Sequence, residues 1–224
     1  MNDFTFDNFV KLDSNKIALE VIEDFFSSMK YGCIYNPIVI IGLEGNGKSH
    51  LIQAIMKRMG RYHPSKKFKL LNPEILKQEI RVIRKQIAAV TPIREIMSQL
   101  RLHENQILIF EDFHALTPRE ETLRALGIEF CKLLKKGHHL IITSSKAPQI
   151  SWSAMYTMKD VFLKSTLICL HTPILFRDKE KLNNFFKEKY RLNESSSILD
   201  SIYEKGFISF KELEDRVIEL IQLR

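Results

Sequence analysis

Long hydrophobic runs are missing from this sequence. No stretch approaches the roughly 20 apolar residues that span a bilayer, so no membrane segment is expected. The opening Met1-Asn-Asp-Phe-Thr-Phe-Asp7 is acidic and poor in apolar residues, unlike a secretory signal. Cysteine is scarce: Cys33, Cys131 and Cys169 are three in number, far apart and in apolar surroundings. That count argues against disulfide bridges and metal ligation, and the three read as reduced core residues of a cytoplasmic protein. The seven histidines lack ligand spacing. The adjacent His138 and His139 point to opposite faces of a strand. Low-complexity tracts and internal repeats are absent as well.

What is present is a chain of 224 residues, 45% of them hydrophobic, enough for one large domain or two modest ones with a real core. Lys and Arg exceed Asp and Glu by 34 to 27, a formal net charge of +7. Such a balance permits nucleic-acid contact and equally suits a solvated lysine-rich surface.

The most specific stretch is Ile38-Val-Ile-Ile-Gly-Leu-Glu-Gly-Asn-Gly-Lys-Ser49. Four branched apolar residues form a strand buried on both faces. Gly42, Gly47, Lys48 and Ser49 then fit the spacing G-x-x-x-x-G-K-S/T of a phosphate-binding loop. Glycines let the backbone curl so that its N–H groups face phosphate oxygens. Lys48 brings a point charge to the outer phosphates, and Ser49 offers a hydroxyl to magnesium. The run His50–Met59 is apolar at helical spacing, so the anion sits at a helix N-terminus.

Around this loop, strands and helices alternate. Ser14 or Asn15 caps a helix running to about Met29, with Ile17, Val21, Ile22 and Phe25 on one face. Tyr35-Asn-Pro37 turns into the first core strand, and Gly60 stops the helix after the loop. Strands are expected at Phe68–Leu71, Ile107–Phe110, Leu140–Ile142 and Leu167–Leu170. Helices are expected from Pro73 to about Ala89, from Thr91-Pro92 to Leu102, and from Thr117-Pro118 to Lys136. From Pro173 the chain reads as helical: Arg177–Tyr190, Ser197–Tyr203 and Ser209–Leu223, the last opened by a capping box of Ser209 and Glu212. The expected organisation is an α/β nucleotide-binding domain over 1–172 and a small helical domain over 173–224. Alternation implies a parallel sheet with helices on both faces and a ligand edge at the strand C-termini.

The strand Ile107–Phe110 ends in Glu111-Asp112, the form of the second nucleotide-hydrolase motif. One acid holds the magnesium shell and the next polarises water. Glu111 stands where most of this class has aspartate; its longer side chain must fold back, which points to slow hydrolysis. Thr143-Ser-Ser145 reads either as hydroxyls for the terminal phosphate or as ordinary turn chemistry.

Together, Phe4-Thr-Phe-Asp-Asn-Phe-Val10, Tyr35-Asn-Pro37 leading into Gly42-Leu-Glu-Gly-Asn-Gly-Lys-Ser-His-Leu51, and Leu140-Ile-Ile-Thr-Ser-Ser-Lys-Ala-Pro148 resemble the ATPase module of the bacterial replication initiator DnaA and its shorter Hda-type relatives. The resemblance implies an AAA+ fold, a P-loop NTPase with a five-stranded parallel sheet and a helical lid. It implies that ATP or ADP is bound by Gly42, Glu44, Gly45, Asn46, Gly47, Lys48, Ser49 and His50, with Mg2+ on Ser49 and Glu111. Glu111 and Asp112 become the acidic pair. Ser145 falls where the family has its first sensor, an aspartate, and Lys211 where it has the second, an arginine. Lysine keeps the cation and loses the planar two-point grip. Phe162, between Lys159 and Lys164, falls where the family carries an arginine that completes a neighbour's site, which leaves a homo-oligomer open.

Because the sequence ends at Arg224, just after the lid, the resemblance leads us to expect an accessory protein without the initiator's helix-turn-helix domain, regulating initiation through contact with DnaA. Hda-type relatives bind the sliding clamp through an N-terminal peptide. None opens this chain, and Gln99-Leu-Arg-Leu-His103 is a faint internal match whose leucines also suit packing. Two other expectations stand beside this one. The first is a helicase-loader-like protein holding single-stranded DNA on Lys77, Arg81, Arg84 and Lys85, which equally form a solvated helix face. The second is a nucleotide-sensing scaffold with weak ATPase turnover.

Overall fold

A computed structural model describes residues 4–28, 35–71, 106–116, 120–146, 156–192 and 197–222. Its elements in chain order are α1 (Lys16–Ser28), β1 (Ile38–Gly42), α2 (Lys48–Tyr62), β2 (Phe68–Leu71), β3 (Ile107–Phe110), a 3-10 turn (Phe113–Leu116), α3 (Glu120–Lys135), β4 (His139–Ser144), α4 (Tyr156–Leu163), β5 (Thr166–Leu170), α5 (Leu175–Tyr190), α6 (Ser197–Glu204) and α7 (Phe210–Gln222). The five strands form one sheet in the order β2-β3-β4-β1-β5. Parallel ladders join β2 to β3, β3 to β4 and β4 to β1. Ile41 lies opposite Ser144 and Phe110 opposite Ile142, so β1, β3 and β4 end at one edge of the sheet. All four residues of β3 are buried, as expected of a central parallel strand with both faces covered. The helices expected between Pro73 and Leu102 lie outside the described residues.

Several local expectations are corrected. The phosphate-loop helix runs through Gly60 to Tyr62. A Cβ added at Gly60 meets nothing within 4 Å. Gly60→Ala should therefore raise stability by about 0.5–1 kcal/mol, read as a higher urea midpoint at unchanged slope. In α1 the buried face is Ala18, Ile22, Phe25 and Phe26, while Ile17 is 75% exposed. Asn15 does not cap that helix with its side chain: its Oδ1 accepts from the Leu12 N–H and its Nδ2 donates to the Val10 carbonyl. Cys169 is exposed on β5 and not a core residue, whereas Cys131 is partly buried, and both are free thiols. Ser209 does cap α7, accepting from the Glu212 N–H, while the Glu212 carboxylate reaches back to the Ile208 N–H.

The chain divides into two compact units, one of Phe25–Ile41 and Met56–Ile168, the other of Met1–Asp24, Gly42–Ile55 and Cys169–Arg224. In the first, Phe110, Phe113 and Phe130 are fully buried, with the Phe130 ring 4.7 Å from Phe110 and 5.9 Å from Phe113. Each such side chain contributes about 1.5–3 kcal/mol by leaving water. Burial pushes the His138 imidazole below its ordinary pKa, and its Nδ1 accepts from the Gln106 N–H. In the second unit, Leu12 joins Leu182, Phe186, Ile202, Leu213 and Val217 in a separate core. Asp178, fully buried, accepts from the N–H groups of Asp13, Ser14 and Ile174, tying the turn before α1 to the start of α5.

Candidate functional site

The loop after β1 has the backbone that its glycines allow. Gly45 and Gly47 have φ of 83° and 88°, the left-handed region where a side chain is strained. Gly42 is needed for a different reason: a Cβ there would lie 2.8 Å from the Leu170 carbonyl oxygen. Lys48, only 7% exposed, donates from Nζ to the carbonyls of Gly42 at 2.8 Å and Leu43 at 3.2 Å. Its ammonium is therefore held inside the curve of the loop. Leu51 N–H donates to the Gly47 carbonyl at 2.9 Å, so α2 starts directly from the loop and its first N–H groups belong to the site. Ser49 stands in that first turn, and both it and Glu44 are exposed.

His50 faces the N-terminal arm. Its Nε2 lies 2.8 Å from the Thr5 carbonyl, and its ring centroid is 4.7 Å from Phe4 and 5.0 Å from Phe9. A cavity of about 680 Å³ opens here, lined by the arm (Phe4, Asp7, Asn8, Phe9, Val10), by Asn46, Gly47 and His50, and by Phe185, Tyr190, Phe210 and Glu214 from α5 and α7. Flat aromatic walls with a few polar groups suit a planar ring. Tyr190 OH lies 3.0 Å from Glu214 Oε1, which also takes Lys189 Nζ at 2.6 Å. Burial and the Glu214 carboxylate both push the Tyr190 phenol above its ordinary pKa, which keeps it a donor. Lys211 joins the loop through its backbone, N–H to the Gly45 carbonyl at 3.2 Å. From sequence, Phe4–Val10 carries only the family resemblance. Its aromatic spacing, Phe4, Phe6 and Phe9, was the available signal.

The acidic pair lies in the sheet unit at the end of β3. Asp112 has φ 47°, left-handed for a residue with a side chain, and its N–H donates to Thr143 Oγ1 at 3.0 Å. Strain of this kind collects at functional positions. Glu111 N–H continues the ladder to the Leu71 carbonyl. Ser145 is gripped by a residue that the sequence reading missed: its N–H donates to His114 Nδ1 at 3.2 Å, and its Oγ lies 2.8 Å from His114 Nε2. These distances fit a neutral imidazole protonated on Nε2, leaving the Ser145 hydroxyl proton free to point elsewhere. Phe162 packs its ring 6.3 Å from Phe113 against the sheet-unit core, so this position serves packing here. Lys77, Arg81, Arg84, Lys85 and the stretch Gln99–His103 lie outside the described residues, as does Cys33. No helix among the described residues is long and apolar enough to cross a membrane. Nor do the described residues hold a group of three or more His, Cys, Asp or Glu able to bind a metal by themselves.

A parallel sheet whose first strand runs into a phosphate loop is the fold of AAA+ P-loop proteins. Solved structures agree: domain III of the Thermotoga maritima initiation protein DnaA has a TM-score of 0.73 at 20% identity, covering 100% of this chain and 89% of that one. AMPPCP-bound DnaA from Aquifex aeolicus has 0.74 at 21%, covering 100% of this chain and 66% of that one. The family model of the bacterial DnaA ATPase domain matches residues 1–169, and the chain belongs to that family. Among curated relatives, the chromosomal replication initiator DnaA of Francisella tularensis subsp. novicida is 31% identical over 146 residues, 65% of this chain and 28% of the relative. That of Mesoplasma florum is 27% identical over 149 residues, 66% and 32% of the two chains. This chain thus spans about a third or less of the length of these relatives.

Proposed function

We propose that the protein binds ATP or ADP with Mg2+ and acts as an accessory factor in bacterial replication initiation, through contact with the initiator DnaA. The observation that carries the reading is the loop itself. Two left-handed glycines curl the backbone, and a buried lysine ammonium sits inside the curve, in a member of the DnaA ATPase family. The residues fit the ligand. A Cβ at Gly45 would lie 2.8 Å from Ser209 Oγ and one at Gly47 3.1 Å from the Phe9 ring, so the loop takes only glycine there, and Lys48 exchanges two carbonyl partners for phosphate oxygens. The aromatic cavity takes the base.

When bound, the triphosphate with its metal supplies an activated phosphoryl group. Lys48 neutralises the outer phosphates, and the first N–H groups of α2 align them. Ser49 and Glu111 would hold Mg2+, which would supply positive charge to the phosphates. Asp112 orients the attacking water, Ser145 and Lys211 read the phosphates, and residues 173–224 serve as the lid. The accessory role draws on four departures from the family's pattern, Glu111, Ser145, Phe162 and Lys211, all of which favour slow turnover over rapid hydrolysis.

The solved relative that carries AMPPCP and single-stranded DNA supports a second reading, in which this chain also binds single strands along its basic segment. The test is to measure nucleotide content and ATP and ADP affinity on the purified chain, then capture of DnaA and of the sliding clamp. Asp112→Asn should keep ADP affinity within about twofold and lower turnover at least about tenfold, the size expected for losing a water-orienting group. Rapid hydrolysis without a partner, or failure to retain DnaA, would remove the accessory reading. Oligonucleotide binding that falls steeply with salt would favour the second one.

A further inference from the structure

A helix leaves its first four N–H groups without intrahelical partners, and α7 finds two of its partners on the phosphate loop. Phe210 N–H donates to Asn46 Oδ1 at 3.1 Å, and Lys211 N–H donates to the Gly45 carbonyl at 3.2 Å. Glu212 and Leu213 N–H go to the Oγ and carbonyl of Ser209. The other end of the Asn46 side chain is also engaged: Nδ2 donates to Thr172 Oγ1 at 3.1 Å and lies 3.4 Å from the Leu170 carbonyl. Thr172 passes its own hydroxyl proton to the Ile208 carbonyl at 2.7 Å, just before α7. Asn46 is 7% exposed, so its own bonds are partly shielded from water. Gly45 admits no Cβ, because Lys211 Cβ and Ser209 Oγ would each lie 2.8 Å away.

We propose that Asn46 is a positioning residue that clamps the phosphate loop to the first turn of α7 and so fixes Lys211 beside the loop's ligand. This rests on the nucleotide reading and adds how the lid's cation is placed. A lysine ammonium is a single charge on a flexible stem, so its reach is set by where its backbone is anchored. Lys211 is exposed and its ammonium forms no ion pair among the described residues, while its backbone is held one residue from Asn46's own bond. An amide at position 46 has the chemistry the clamp needs, an acceptor for a helix N–H on one side and two donors for carbonyl and hydroxyl oxygens on the other. The sequence motif leaves this position unspecified. Removing the clamp frees α7 from the loop, and the Lys211 charge then averages over many positions.

The test is a double-mutant cycle on ATP affinity by calorimetry, with Asn46→Ala, Lys211→Ala and the double variant. Each single change should weaken binding about tenfold, the order expected for losing one charge-assisted contact, and the double should weaken it little more than either alone. In parallel, the Phe210 and Lys211 amides should exchange at least about tenfold faster in Asn46→Ala than in the wild type, by NMR hydrogen exchange. Should Asn46→Ala fail to fold, Thr172→Val cuts the far side of the same clamp and should show the same non-additivity with Lys211→Ala. Additive losses in the cycle, or unchanged Phe210 and Lys211 exchange, overturn the clamp while nucleotide binding stands. A wild-type chain that binds neither ATP nor ADP overturns both together.

Discussion

Lys48→Ala removes nearly all of the thermal stabilisation that ADP gives the wild-type chain. At a ligand concentration 100 times the dissociation constant, binding stabilises the folded state by about 2.7 kcal/mol, which raises the midpoint by about 5–10 °C for a chain of this length. Lys48 supplies the one buried ammonium of the loop among the described residues, and a short alanine leaves the phosphates with backbone N–H groups alone. The expected loss is at least about 100-fold in affinity, or about 2.7 kcal/mol, which leaves at most about 0.4 kcal/mol of stabilisation at that concentration, a shift of about 1 °C. The ligand-free variant should melt close to the wild type, because the Gly42 and Leu43 carbonyls that Lys48 serves lie in the loop, where water can replace the ammonium. A variant that keeps the full ADP shift would show that the loop is not the anion site, and the nucleotide reading would fall with it.

How much of this was legible in the sequence depended on the range of the interactions. The strand Ile107–Phe110 agrees with its expected bounds because a continuous apolar run bounded by polar residues states a buried strand locally, and Phe68–Leu71 also agrees, although Lys69 interrupts it and only Leu71 is buried. The phosphate loop was legible because its glycines, lysine and serine are fixed by spacing alone. Gly60 misled because a glycine inside a helix disfavours it by only about 1 kcal/mol, less than burial of Ala54, Ile55 and Met59 on the same helix contributes. Ile17 misled because the buried face of α1 is selected by tertiary packing, and Ala18 takes the inward position. The partners of Ser145 and Asn46 were not legible. His114 lies 31 residues from Ser145, and Phe210 lies 164 residues from Asn46, so no local pattern links them. The basic segment 77–85, legible as a helix face, gains nothing from the described residues.

The largest effect on stability belongs to a residue that no motif marks. Asp178→Ala should destabilise the chain by about 3–4 kcal/mol, a large share of the 5–15 kcal/mol that holds an ordinary domain folded. Asp178 Oδ1 accepts from Asp13 N–H at 2.8 Å and Ser14 N–H at 3.2 Å, while Oδ2 accepts from Ile174 N–H at 2.7 Å. Alanine strands all three donors at once, and the full burial of Asp178 lets little water take the place of the carboxylate. The charge also stands in the first turn of α5, where the helix dipole favours an anion. The loss is smaller than three separate penalties because Asp13 is exposed and its N–H regains some solvent. Asp178→Asn keeps an acceptor oxygen for one side of the contact and should lose about half as much. Urea unfolding at constant slope reads both values. The same bonds hold the turn after the arm, and the arm supplies Phe4, Phe9 and Val10 to the cavity, so Asp178→Ala should weaken ADP binding in proportion to the arm's release. A variant within about 0.5 kcal/mol of the wild type, the range of ordinary surface changes, would mean that the three donors find other partners and that contacts such as those with His50 hold the arm without Asp178.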